Sequence, residues 1–419
     1  MVQRPGFRDA GLVGGLAASV FLAVCVLFHW FSTPGCLLAI TVGVVAALAK
    51  AKWARDTDMV EARAAAVPAG VLAWVGFGAV LFLQGAFLAI LLAARTDQGL
   101  SSPWQVLPTA VFILFGLGVW LLLLLAERLP SWALRLAWAG QLFFAFSVSA
   151  FVYRYGFGFD PFIHQAAARF LQAHGDIRLP SPLYAGQYAV EAALARLTGL
   201  SVAGIDRFLL PVLAAFFGAR TLPKAMRLWS DGDGWGWSWL MQLPSFLPFT
   251  FTVPYNLSCL IFLAVVVCLP HLATVKGLPL AVLGLAFLGS LHPLLAMPAA
   301  GLLCAVWIGR RWPRLAVPVA FGAVFLGIVG LFFLYIRLTA GVMRFPDVPS
   351  LSQAWMALTG FPFGSRGWPW FTWMYYGFFH AWLAVFCFLG WLGYRRLPAE
   401  KAFLRQSIVG AAFGTAAAT

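Results

Sequence analysis

The chain alternates between long apolar stretches and short polar connections. A helix that crosses a membrane needs about 20 apolar residues. Such stretches are predicted at 11–31, 35–49, 67–94, 104–126, 136–153, 206–222, 235–253, 256–272, 278–292, 294–309, 315–336 and 371–393. The pattern predicts an all-α polytopic membrane protein with about 12 to 13 transmembrane helices. A last apolar run begins near 406 and stops at Thr419. Because this run is too short for a full span, we expect the chain to be a piece of a longer one.

One segment interrupts this pattern, from Tyr153 to Leu200, where polar positions are frequent. It holds much of the chain's small stock of ionisable groups, among them Asp160, His164, His174, Asp176 and Glu191. The periodicity predicts two short amphipathic helices that lie on the membrane surface. The second of them is predicted from Leu183 to Thr198 and is ended by Gly199.

The first helix of this segment is predicted to begin at Asp160, which is a good N-cap, with Pro161 as the first helical residue. Gly175 is expected to end it by adopting the left-handed conformation after the last turn. One face should be apolar and the opposite face polar. The predicted apolar face holds Ile163, Ala166, Ala167, Phe170 and Leu171, and the polar face holds His164, Gln165, Arg169 and Gln172.

Composition supports the membrane assignment and excludes a nucleic-acid partner. The chain has 419 residues, of which 62% are hydrophobic and 10% charged, and its mean hydropathy is +0.88. Water-soluble domains do not have this composition. The net charge of +14 comes from basic residues that lie between the apolar stretches instead of on one amphipathic element. The 6 Cys residues are scattered without metal-binding or redox spacing.

The distribution of the 28 Lys and Arg residues predicts the orientation of the chain. With a cytoplasmic N-terminus, most of them fall on the cytoplasmic side, as the positive-inside rule requires. The two long loops, 154–205 and 337–370, are then extracytoplasmic and can build one site together. We expect a multi-pass integral protein of a bacterial cell membrane.

The second long loop contains Arg337 and Arg366 and leads into a dense aromatic group around Trp368 and Trp370. Two interpretations are open for this group. The rings can form an interfacial belt that anchors the next span, or they can stack on a sugar or prenyl chain while an Arg holds phosphate. His292, in a turn predicted at the same outer surface, is either a structural residue or a ligand-binding one.

Several familiar motifs are absent from the sequence. There is no phosphate-binding loop, HExxH, G-x-S-x-G or dinucleotide fingerprint, so we expect no nucleotide or redox cofactor. No charged residue lies near the middle of a predicted span, where ion-coupled transporters usually need one. We therefore expect the functional site to lie at the outer surface.

The run DPFIHQAAARFLQAHG, followed by a Pro-rich hinge and LYAGQYAVEAALARLTGLSVAGIDRFLLPVLAAFFGA, resembles the first outer loop and next span of GT-C glycosyltransferases. It is most similar to the oligosaccharyltransferase catalytic subunit and its relatives. The resemblance implies that Asp160 is a catalytic or metal-binding acid, with His164 one turn on. It also implies a polyprenyl-phosphate sugar donor and, at Asp160, a divalent cation such as Mg²⁺ or Mn²⁺.

The chain departs from the GT-C pattern in three respects. The loop follows the fifth predicted span instead of the first, so residues 1–135 are expected to be an extra N-terminal transmembrane bundle. The next outer loop, around Tyr255, carries no carboxylate, and we expect the soluble C-terminal domain of that family to be missing. We therefore expect a glycan or lipid acceptor rather than a peptide. The predicted core is 136–336, and residues 371–419 form the C-terminal spans.

These observations predict a membrane glycosyltransferase that acts on the extracytoplasmic face, with membrane lipids around it. Two alternatives stay open: a translocator of lipid-linked sugars or polysaccharide, and a non-catalytic scaffold in envelope assembly. The expected catalytic residues are Asp160 and His164. The expected substrate-binding residues are Arg154, Tyr184, Gln187, Tyr188, His292, Arg337, Arg366, Trp368 and Trp370.

Overall fold

A computed structural model describes residues 10–27, 31–55, 70–100, 103–157, 160–176, 184–226, 241, 250–323 and 325–327. All of the longer elements in these ranges are helices. They are α1 Ala10–Leu27, α2 Thr33–Arg55, α3 Val71–Ala93, α4 Ala110–Leu125, α5 Ser131–Phe146, α6 Val148–Val152, α7 Asp160–His174, α8 Ala185–Thr198, α9 Val202–Phe216, α10 Leu222–Met226, α11 Pro254–Leu272, α12 Leu278–Leu291 and α13 Pro293–Arg311.

The expectation of an all-helical chain is confirmed over these residues, where no strand is found beyond one isolated bridge between Thr96 and Tyr153. Among the described residues, three helical stretches are long and apolar enough to cross a membrane: Val71–Ala93, Val202–Met226 and Pro254–Leu272. The last of these coincides with α11, and the second joins α9 to α10 through a π-helical turn. Length and composition thus support membrane association, while the total number of spans, their orientation and the GT-C architecture stay predictions.

The chain divides into two compact units. The first comprises 1–242 and 248–299, and the second 243–247 and 300–419. The described part of the second unit contains the C-terminal half of α13 and a further apolar helical run, 316–327. The predicted boundaries at 135 and 336 are not tested by this division and stay predictions.

In the first unit, α3, α4 and α5 form a bundle that is joined by two buried amides. Gln84 Nε2 donates to the carbonyl of Ala137 at 2.8 Å, and Gln141 Nε2 donates to the carbonyl of Phe115 at 3.1 Å. Both side chains line one small space together with Phe87, Phe115 and Phe144. Because a buried amide without a partner is costly, these bonds fix which faces of the three helices meet.

The centre of the first unit is α8, a helix rich in Ala and Gly. It packs against α1, α2, α7, α9 and α12, and nine of its residues are buried. Neighbouring helices therefore cover most of this second loop helix, while its position relative to the membrane surface stays a prediction. Alanine gives little contrast between the faces of a helix, so its periodicity did not reveal that neighbours cover nearly all of it.

The ends of the two loop helices are as predicted. Gly175 has φ +72° and its amide donates to the Leu171 carbonyl at 2.8 Å, while Gly199 has φ +73° and donates to Ala195 at 3.0 Å. A residue without Cβ adopts this left-handed conformation at little cost. The α7 helix also begins at Asp160 as expected, and α8 begins at Ala185, two residues after the predicted start at Leu183.

The predicted faces of α7 are only partly correct. Ala167 and Leu171 are buried as expected, but Ile163 and Ala166 are exposed. Gln165, assigned to the polar outer face, is buried. The reason is a specific polar partner, because Gln165 turns toward a carboxylate on α9.

A close contact between glycines joins α1 to α2. A Cβ built on Gly14 would lie 2.6 Å from the carbonyl oxygen of Gly43, and one on Gly43 would lie 2.7 Å from that of Gly14. Ala18 and Ala47 are the next small residues on these two faces. Small residues at four-residue spacing allow two helix backbones to approach closely, which strengthens dispersion contacts between membrane helices.

We expect Gly14→Ala to lower the free energy of unfolding by about 1–3 kcal/mol, because the added methyl group overlaps the backbone of α2. Gly15→Ala is the matched control, since a Cβ at Gly15 meets nothing within 4 Å. That change should be neutral or should stabilise by up to about 1 kcal/mol through helix propensity. Denaturant unfolding in detergent measures both values, and equal values for the two variants would contradict the contact.

Candidate functional site

Five aromatic side chains from α7, α8, α11 and the α12–α13 connection form a continuous row, here named the ring cluster. Its order is Tyr255, His292, Tyr184, His164 and Tyr188. The ring of His292 stacks on that of Tyr184 at 5.8 Å and 23°, and His164 meets Tyr184 edge-on at 5.7 Å. His164 Nδ1 lies 2.8 Å from the hydroxyl oxygen of Tyr188.

Local structure explains how these side chains come together. His164 lies one turn into α7, and Tyr184 and Tyr188 lie one turn apart at the start of α8. His292 follows the last residue of α12 in an extended conformation, because Pro293 starts the next helix. Gly186 allows the N-terminus of α8 to pack closely against the end of α12, because any Cβ at this position would collide with the Ser290 hydroxyl.

The ring cluster leads from the protein surface into its interior. Tyr255 is 51% exposed, whereas Tyr188 is 3% exposed and the other three rings are partly buried. Four of the five residues, His164, Tyr184, Tyr188 and His292, were predicted site residues. Tyr255 was missed because its loop was judged only by its lack of a carboxylate. Its neighbour Pro254, a natural helix start, was the available signal that Tyr255 opens a helix there.

The ring cluster is uncharged in its buried part. Burial, followed by the neighbouring Tyr184 and Glu191, raises the pKa of Tyr188, so its phenol keeps its proton. Burial lowers the pKa of His292, which keeps that imidazole neutral. His292 Nδ1 is buried without a hydrogen-bond partner among the described residues. Neutral rings with hydroxyl and imidazole groups at their edges suit a ligand with both apolar faces and hydroxyl groups, such as a sugar.

Two buried carboxyl groups lie beside the ring cluster. Glu191 is one turn after Tyr188 on α8, and Asp206 is on α9; they are 0% and 2% exposed. Gln187 Nε2 donates to Glu191 Oε1 at 2.7 Å, and Gln165 Nε2 donates to Asp206 Oδ2 at 2.8 Å. Burial raises the pKa of Glu191, and the charge of Asp206 raises it further. No sequence pattern indicated this pair, because its two residues are 15 positions apart and lie on different helices.

The other predicted site residues lie elsewhere or are not described. Arg154 is exposed after α6, and its carbonyl oxygen accepts a hydrogen bond from Arg207. Gln187 is completely buried against Glu191 rather than facing the surface. Asp160 is the first residue of α7, but its side chain is outside the described structure. The remaining candidates also lie outside the described residues: Arg337, Arg366, Trp368 and Trp370.

Within the described ranges, no group of three or more His, Cys, Asp or Glu side chains is arranged to hold a metal ion. The expected divalent cation at Asp160 is not tested, since that side chain is not described. Comparison of the chain with known protein families, curated proteins and solved structures finds no match. The functional conclusion therefore depends on the residues themselves.

We expect Tyr188→Phe to lower the free energy of unfolding by about 1 kcal/mol, because it removes the hydroxyl that bonds to His164. Tyr155→Phe is the control, since Tyr155 is 69% exposed. A double-mutant cycle with His164→Ala isolates the interaction and should give a coupling energy of about 0.5–1.5 kcal/mol. Additive effects of the two changes would show that the His164–Tyr188 bond contributes nothing.

Proposed function

We propose that the protein is a GT-C-type membrane glycosyltransferase. It transfers a sugar from a polyprenyl-phosphate donor to a glycan or lipid acceptor on the extracytoplasmic face. The observation that carries this proposal is the ring cluster beside the start of α7, where His164 lies one turn after Asp160. The resemblance of this same stretch to the GT-C outer loop supplies the reaction type.

The properties of the ring cluster support a sugar as the ligand. Sugar rings have apolar faces that pack on aromatic side chains, and hydroxyl groups that bond to phenol and imidazole edges. Tyr255 is exposed enough to meet a ligand first, while Tyr184 and His292 offer a stacked pair deeper in the row. A donor that enters from the bilayer requires no nucleotide-binding domain, in keeping with the absence of such motifs.

In the proposed reaction, the Asp160 carboxylate takes the proton of the acceptor hydroxyl. The acceptor oxygen forms a bond to the anomeric carbon of the sugar as the bond from that carbon to phosphate breaks. Polyprenyl phosphate leaves with its negative charge, and Arg154, Arg337 or Arg366 would stabilise that charge. A divalent cation at Asp160 stays an expectation, and this proton transfer does not depend on it.

The decisive experiment replaces the carboxylate without removing the helix cap. Asp160→Asn keeps a good N-cap, so stability should change by only a few tenths of a kcal/mol. Transfer of sugar from the lipid-linked donor should fall by about 10²-fold or more, because the base is lost. Asp97→Asn is the control, since Asp97 is an exposed carboxylate in the α3–α4 connection. The measurement is glycan and lipid-linked donor analysis of cells that produce each variant.

The location of the accumulated donor separates transfer from translocation. Cells with the Asp160→Asn protein should build up donor on the extracytoplasmic face. Donor trapped on the cytoplasmic face would instead identify a translocator. If the Asp160→Asn cells make finished glycan at the parental level, Asp160 is a helix cap only. If cells without the protein have an unchanged glycan profile, the scaffold alternative is favoured.

A further inference from the structure

The polar groups where α7, α8 and α9 meet leave two carboxyl oxygens unsatisfied. Glu191 Oε1 and Asp206 Oδ2 each accept a bond from a glutamine amide. The other two oxygens, Glu191 Oε2 and Asp206 Oδ1, are buried and have no hydrogen-bond partner in the described part of the chain. The two carboxyl groups are themselves within hydrogen-bonding reach of each other. A buried acceptor without a donor is costly, so these two oxygens need an explanation.

No basic side chain of the described residues neutralises the pair. Neither carboxyl group forms an ion pair with a described Lys, Arg or His residue. Arg169 on α7 and Arg207 on α9 act on Asp206 only through space. Arg207 donates instead to a backbone carbonyl, and Arg169 is exposed. Two ionised carboxylates in contact and out of water repel strongly, so the pair must bind a positive species.

Among the described residues of the helices around α8, His164 on α7 is an imidazole near the pair, and it bonds to Tyr188 and not to either carboxyl group. On α8 itself, Tyr188 lies one turn before Glu191 and keeps its proton. The packed face of α1 offers only Cys25, that of α2 offers Cys36, and α12 has no titratable side chain.

We propose that Glu191 and Asp206 form a binding site for one proton, which is shared between Glu191 Oε2 and Asp206 Oδ1 and ties α8 to α9. One carboxyl group donates its O–H to the other carboxylate, so the pair carries one negative charge. All four carboxyl oxygens then have a hydrogen-bond partner. The proposal rests on the described residues alone and does not depend on the glycosyltransferase activity.

This proton couples two parts of the first unit. Gln165 and His164 are neighbours on α7: the first binds the carboxyl pair and the second binds Tyr188 of the ring cluster. On α8, Gln187 and Tyr188 are likewise neighbours: Gln187 bonds to the carboxyl pair, and Tyr188 belongs to the ring cluster. Loss of the proton would place two negative charges between these helices. Their repulsion would act on the glutamines of the pair, whose neighbours His164 and Tyr188 belong to the ring cluster.

The dependence of stability on pH follows from the raised pKa of Glu191. An acid whose pKa is higher in the folded protein binds more protons folded than unfolded. Its stabilising contribution is complete below the unfolded pKa of Glu, about 4.3. It is lost as the pH rises through the folded value, so stability should decline toward alkaline pH.

The test compares thermal unfolding of the full-length protein in detergent between about pH 5 and about pH 9. The melting temperature of the parent should fall across this range. Glu191→Gln and Asp206→Asn should each remove most of that fall, because either amide donates the hydrogen bond that the proton supplies. The two changes together should add little beyond one. Glu127→Gln is the matched control, since Glu127 is exposed, and it should keep the parental pH dependence.

Infrared spectroscopy of the parent tests the proton directly, even if a variant does not fold. With ¹³C-labelled glutamate carboxyl groups, the parent should show the carbonyl band of a protonated acid at neutral pH. That band should disappear at alkaline pH and be absent from Glu191→Gln. A spectrum without any protonated carboxyl group at neutral pH would overturn the proposal.

A metal cation is the competing occupant, because Gln187 Oε1 is a further buried oxygen without a partner. If Na⁺, Mg²⁺ or Ca²⁺ raised the melting temperature of the parent at constant ionic strength, but not that of Glu191→Gln, the site would bind that cation instead of a proton. Parental pH dependence in both single variants would also overturn the proposal.

Discussion

The structure of the first unit depends on the burial of α8. An α-helix packed against five others needs many small side chains, and its buried polar groups need hydrogen-bond partners within the protein. The many Ala residues of α8 meet the first requirement. The second is met in part: Tyr188 bonds to His164 of α7, and Glu191, bonded to Gln187 of the same helix, meets Asp206 of α9. Along its length, Arg196 donates to the Gln172 carbonyl of α7 and lies over the Phe31 ring.

This arrangement places two chemically different sites on the same helix. The start of α8 carries the rings that reach toward the surface, and the next turn carries a carboxyl group with no access to water. On α7, His164 belongs to the ring cluster and the next residue, Gln165, bonds to the carboxyl pair. The positions of the proposed substrate residues are thus set by polar bonds inside the protein as well as by apolar packing.

Much of the local structure could be predicted from the sequence. The helical class, the start of α7 at Asp160 and the glycine ends at Gly175 and Gly199 follow from cap chemistry that involves only nearby residues. The burial of α8 by neighbouring helices was not predicted, and the predicted outward face of Gln165 was wrong. Periodicity indicates which residues share a face but not which neighbours cover it. Partners from distant parts of the chain, such as Asp206 for Glu191 and Tyr255 for His292, leave no local signal.

The glycine contact between α1 and α2 has a consequence for the order in which the protein is assembled. Both helices leave the ribosome long before α8, and N-terminal parts of a chain generally fold first. Because Gly14 and Gly43 bring the two backbones together without help from later residues, this hairpin can form early. It then presents Leu22, Val26 and Phe31 as a ready surface for α8. The N-terminal hairpin would then provide a preformed apolar surface on which α8, a helix with little contrast between its faces, packs.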